Sequence, residues 1–126
     1  MPMSLLLSRV GLALGLLIAN TGAGFAAAGN YEFVAAPERD LNRIYRLDRT
    51  TGEVGACQYG LKEGTIGVTL CYEPGEGAGP QAAGEYALVA SSHEHEGGVF
   101  RVDRDTGKMS ICYVLNNKVV CTPSAK

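Results

Sequence analysis

From residue 31 onward, apolar and polar positions alternate in short runs, and glycine, asparagine, aspartate or proline separates one run from the next. A period of two is the signature of a half-buried strand. It predicts strands over 31–35, 43–48, 53–59 and 68–72, and again over 86–91, 98–103, 108–114 and 118–122. No helical period follows Ala28. The second set of strands repeats the first. Laying the chain on itself with Tyr31 over Tyr86 aligns Tyr31 through Cys57 with Tyr86 through Cys112 without a gap, and 9 of those 27 positions are identical. Most of the others exchange like for like: Phe33 for Leu88, Ile44 for Val99, Tyr45 for Phe100 and Leu47 for Val102.

The turns carry their own signals. Asp48, Thr51 and Gly52 recur as Asp103, Thr106 and Gly107. Such a turn uses glycine for a positive φ and the aspartate to bond the loop backbone. With residues 104–107 as the turn, Val102 falls opposite Met109 and Phe100 opposite Ile111, so one face of this hairpin is wholly apolar. The next reversal, Asn116-Asn117, suits a two-residue loop of left-handed conformation. Leu115 then faces Lys118, and Cys112 faces Cys121 at a close, non-hydrogen-bonded position.

The fold class predicted is all-β: two tandem four-stranded antiparallel meanders packed as a small sandwich or barrel, behind an N-terminal signal peptide. The expected organisation is a signal peptide over 1–28, a β-repeat over 29–73, a linker rich in Gly, Pro and Ala over 74–84, and a second β-repeat over 85–126, the two repeats forming one domain. The leader reading rests on Arg9, the apolar run 10–19 and the small residues ending at Ala28. Its apolar core is too short to span a bilayer. Cleavage removes Arg9, one of 11 basic side chains, and leaves all 13 acidic ones. A net acidic chain without a basic stripe is not expected to bind nucleic acid, and stable membrane insertion is not expected after cleavage.

All four cysteines lie beyond the leader. An even count in an exported chain reads as a disulfide framework. The duplication pairs Cys57 with Cys71 and Cys112 with Cys121, although the longer loop at 60–67 makes the first pairing rest on equivalence more than on geometry. No two of these cysteines stand in the close Cys-x-x-Cys spacing that zinc sites use.

The unit Gly98-Val-Phe-Arg-Val-Asp-Arg-Asp-Thr-Gly-Lys-Met-Ser-Ile-Cys112, preceded by Tyr86-Ala-Leu-Val-Ala and followed by Val-Val-Cys121, resembles the repeat of small exported proteins of Gram-negative bacteria that carry Arg-Leu-Asp-x-x-Thr-Gly-x-x-Ser-x-Cys. The first copy departs from it at Gly55, where the second has Ser110. That resemblance brings no activity with it. A second resemblance is to β-propeller blades, whose inner hairpins turn through Asp-x-x-Thr-Gly. Two blades cannot close a ring. The two meanders are therefore expected to cover each other's apolar faces, with oligomerisation into a ring as the alternative.

Candidate chemistry is sparse. His93, Glu94, His95 and Glu96 hold both histidines and could take a Zn, Cu or Ni ion, although they sit at a loop tip. No other cofactor is expected. Arg46 and Asp48, with Arg101 and Asp103, lie on the polar face of equivalent strands and form a candidate ligand face for an acidic or glycan group. With every cysteine bridged, no nucleophile remains beside a histidine, and an enzyme is not expected. The sequence thus predicts a non-enzymatic exported module of the periplasm or envelope with a structural or protein-interaction role, more monomeric than oligomeric. The alternatives are a propeller-like glycan or ligand binder that oligomerises, or metal binding through His93 and His95.

Overall fold

A computed structural model describes residues 29–123; the predicted leader lies outside them. Eight strands follow one another: β1 (Tyr31–Ala35), β2 (Arg43–Asp48), β3 (Val54–Gly60), β4 (Val68–Pro74), β5 (Tyr86–Val89), β6 (Val99–Asp103), β7 (Met109–Leu115) and β8 (Lys118–Cys121). They form a single sheet in the order β1-β2-β3-β4-β8-β7-β6-β5, so each repeat is an antiparallel meander. The meanders join through β4 and β8, which pair in parallel with Glu73 opposite Lys118 and Pro74 opposite Val119. At the far side β1 and β5 adjoin. There a side chain bridges the edges, the Leu88 amide donating to Glu32 Oε1 at 2.9 Å. The sheet is therefore a nearly closed, flattened barrel.

Each local expectation about the hairpins holds. Val102 pairs with Met109 and Phe100 with Ile111. Leu115 pairs with Lys118 and Cys112 with Cys121. Asn116 and Asn117 take φ of 51° and 64°, while Gly52 and Gly107 both take 78°. Both disulfides form as the duplication implies, Cys57 with Cys71 and Cys112 with Cys121. They fit the oxidising compartment expected of an exported chain. Among the described residues no helix is long and apolar enough to cross a membrane.

The segment over 74–84 is more than a linker. Ala78 is wholly buried, and its carbonyl accepts the Val54 amide at 2.9 Å. The Cys121 amide donates to Glu76 O, and the Gln81 amide donates to Thr51 O. This irregular stretch thus covers one end of a core that draws on both repeats.

That core overturns one expectation. The first repeat does turn its apolar face inward: Tyr45, Leu47, Val54 and Ala56 are buried. Their equivalents in the second repeat are Phe100, Val102, Met109 and Ile111, and these lie on the outer face, half-buried or, at Met109, 59% exposed. The second repeat instead buries Leu88, Val99, Arg101, Cys112, Val119 and Cys121. The apolar faces of the two copies therefore do not cover one another; the front of the first packs on the back of the second.

The seam between the repeats gives the physical reason. Paired residues of neighbouring strands share a face, and an odd slip in register moves a whole strand to the other side. Cys71 lies two positions before Glu73, whereas its counterpart Cys121 lies three after Lys118, the partner of Glu73 across the seam. The offset of five is odd. It puts Tyr72 and Pro74 on the same side as Val119 and Cys121, so Cys71 points out while Cys121 points in.

Parallel pairing at the seam also runs equivalent strands in the same direction. Equivalent parts consequently lie over one another: β1 beside β5, and the loop after β1 against the loop after β5. Arg39 and Glu94, which occupy the same repeat position, meet there as an ion pair at 3.4 Å. The second meander thus lies over the first with equivalent strands running in the same direction.

Candidate functional site

The four residues of the candidate ligand face do not come together. Asp48 and Asp103 belong to their turns. Asp48 Oδ1 accepts the amides of Thr50 and Thr51 at 2.9 and 3.0 Å. Asp103 Oδ1 accepts those of Asp105 and Thr106 at 2.9 and 3.2 Å. The Thr51 and Thr50 amides hold Asp48 below the ordinary carboxylate value. For Asp103 a desolvation penalty acts upward and is outweighed by its bonds from Asp105 and Thr106, so this group is lowered too.

The arginines part company. Arg46 is exposed on the outer face, its guanidinium 5.2 Å from the Tyr31 ring centroid. Arg101, expected on a solvated polar face, is only 7% exposed. Its Nη1 donates to Gly52 O at 2.8 Å and its Nη2 to Gly77 O at 3.0 Å. Burial lowers its pKa, since a guanidinium loses hydration there. Arg101 thus ties the turn of the first repeat and the covering segment to the second repeat. Alternation alone holds no signal for this, because the two copies alternate identically.

Arg101 also forms part of the wall of a cavity of about 470 Å³, open at one end of the barrel beside Glu76, Tyr86, Asp103, Lys108 and Ser110. Two cations and two carboxylates balance there, and the lining contains neither histidine nor free thiol.

The glutamates of the histidine loop have partners of their own. The rings of His93 and His95 stand edge to face at 5.8 Å. Glu94 pairs with Arg39, and Glu96 Oε2 accepts the Gly98 amide at 3.0 Å. Among the described residues no three His, Cys, Asp or Glu side chains gather as metal ligands.

What the fold does present is two outer faces on opposite sides. On the first repeat a concavity of about 540 Å³ is lined by Phe33, Ile44, Arg46, Glu73 and the Cys57–Cys71 bridge. Phe33 is 63% exposed. On the second repeat Phe100, Val102, Ile111 and Tyr113 form a continuous apolar sheet surface, flanked by the exposed Val89 and Met109. Sequence reasoning finds the apolar strip of the second repeat but assigns it to the core. The residues lining the concavity carry no distinguishing signal, because Phe33 and Ile44 read as ordinary core positions.

Comparison of the chain with protein-family models, with curated proteins and with solved structures finds no match in any of the three.

Proposed function

We propose that this chain is an exported, non-enzymatic β-module of the periplasm or cell envelope that works by protein contact through its outer sheet faces. The observation that carries this reading is the outward placement of Phe100, Val102 and Ile111 in a fold that buries the equivalent residues of its other repeat. A contiguous exposed apolar surface rimmed by polar residues marks an interaction site. Two disulfides support the exported setting, and the reading of 1–28 as a leader agrees with it.

The ring-forming glycan binder draws no support from meanders that share one sheet. Metal binding draws none from a loop whose two carboxylates are already engaged. Protein contact is tested by placing a photo-crosslinking residue at position 109 or at position 64, at the far tip of the loop between β3 and β4, and expressing each form with its N-terminal segment. Adducts with protein from position 109 and not from position 64 are expected. Equal labelling from both positions, or none from 109, would overturn the reading.

A further inference from the structure

The internal packing of this molecule leaves both halves of a repeating contact exposed. Within the chain, the front of the first repeat, Tyr45 and Leu47 with their neighbours, is covered by the back of the second, Val99 and Cys112 with theirs. Because equivalent strands run in the same direction and lie over one another, the described residues end on one side in an uncovered back, that of the first repeat. On the other side they end in an uncovered front, that of the second repeat. We infer that these two surfaces bind each other between copies, so that the chain self-associates head to tail with the step of its own internal repeat. This rests on the reading proposed above and names the partner as a second copy.

Three correspondences favour a second copy over an unrelated partner. The first is the arginine. Arg101 reaches across the internal contact to the carbonyl of Gly52. Its equivalent Arg46 stands at the concavity on the exposed back. The equivalent of Gly52 is Gly107, in the same turn conformation, and apart from its chain neighbours no described atom lies within 4 Å of where its side chain would start. The second is the aromatic ring: Tyr86 packs against Gly52, and its equivalent Tyr31 is left 48% exposed.

The third is charge. Arg39 of the first repeat lies against Glu94 of the second. A further copy stacked on the second repeat would bring its own Arg39 over Glu94, again with opposite signs. Glu53 and Lys108 likewise share a position with opposite charges, while Arg49 and Arg104 are alike and sit at the exposed turns. One pin is missing: the Tyr45 hydroxyl donates to Gly97 O at 2.6 Å, and Phe100 has no hydroxyl to repeat it.

The size of the contact sets its strength. Four strands at ~4.8 Å spacing and about five residues at ~3.3 Å each make a face of roughly 300 Å². A stable interface covers roughly 800 Å² per partner. The association is therefore weak and concentration-dependent. Unlike surfaces meet, so it is heterologous, and each added copy leaves a further front and back to bind.

The test uses sedimentation of the purified, oxidised chain from micromolar to millimolar concentration, with Phe33→Asp on the back and Met109→Asp on the front. Both substitutions are at exposed positions; Ile44→Lys and Val89→Asp serve as second variants on the same faces, and intact disulfide mass with an unchanged far-ultraviolet spectrum controls for folding. The wild type is expected to grow past a dimer with concentration. Each single variant alone is expected to be monomeric, and an equimolar mixture of the two to form one-to-one pairs and nothing larger. A wild type that stays monomeric at every concentration would overturn the inference while leaving crosslinking of position 109 to other proteins as the separate measure of protein contact. A Phe33→Asp chain that still dimerises would overturn it too, by showing that the front face pairs with itself.

Discussion

The two repeats of this chain share an alternation, a turn and a disulfide position, yet they bury opposite faces. In the first, Arg46 lies outside and its bridge, Cys57–Cys71, is half-buried to exposed. In the second, Arg101 and the bridge Cys112–Cys121 lie in the core. Identical local patterns can thus occupy opposite environments, and what separates them is register at a two-residue seam. The difference teaches that a strand's apolar face is a requirement for cover, and the cover need not come from the equivalent face of its duplicate.

The bridges allow the largest test of that contrast. Removing a native disulfide from a small domain costs about 2–5 kcal/mol. Loop length favours the first bridge slightly, since a separation of 14 against 9 is worth only about 0.4 kcal/mol of chain entropy. Burial works the other way and is larger, because replacing Cys112 and Cys121 by alanine also empties packed volume. Urea unfolding should therefore show a loss of about 4 kcal/mol for Cys112→Ala with Cys121→Ala, and about 2 kcal/mol for Cys57→Ala with Cys71→Ala. Equal losses would mean that the two environments differ less than the burial implies.

The arginines give the next effect. Arg101→Met leaves the buried Gly52 carbonyl without its donor, while the Gly77 carbonyl, in an exposed residue, can turn to water. An unsatisfied buried acceptor costs about 1–3 kcal/mol, and the relief of desolvating the guanidinium offsets a part, so a loss of about 2 kcal/mol is expected. Arg46→Met removes only an exposed cation–π contact and should cost about 0.5 kcal/mol. A melting series on both variants measures the ratio.

The smallest effect concerns the part in which the repeats agree. Asp48 and Asp103 both have pKa values below the ordinary 3.8 when folded. Between the folded and unfolded values the unfolded chain binds more protons, so stability falls as pH drops through that range. Urea midpoints should be level from about pH 7 to pH 5 and decline below about pH 4. Asp48→Asn and Asp103→Asn should each flatten that decline to a similar extent. A marked inequality would show that the turns, too, have diverged.

Much of this was legible in the residues. Hairpin register follows from contacts a few positions apart: Asn116-Asn117 sets Leu115 against Lys118, and that pairing sets Cys112 against Cys121. The Asp-x-x-Thr-Gly turns likewise act through their own backbone. The failure of Arg101 as a ligand-face residue has a different cause. Its burial depends on Gly52 and Gly77, far from it along the chain, and no periodicity reports a contact of that kind. The same holds for the concavity at Phe33 and Ile44, on the back of the first repeat, which no other strand among the described residues covers.

The sequence by itself determined the strands, the turns and the pairing within the second meander with its disulfide, because each depends on interactions that close within a single hairpin, and the duplication carried the Cys57–Cys71 pairing over to the first. Only the tertiary structure decided which face of each meander became core. That choice is made where β4 meets β8 in parallel, and an odd offset there puts the front of the first repeat and the back of the second on the inner side.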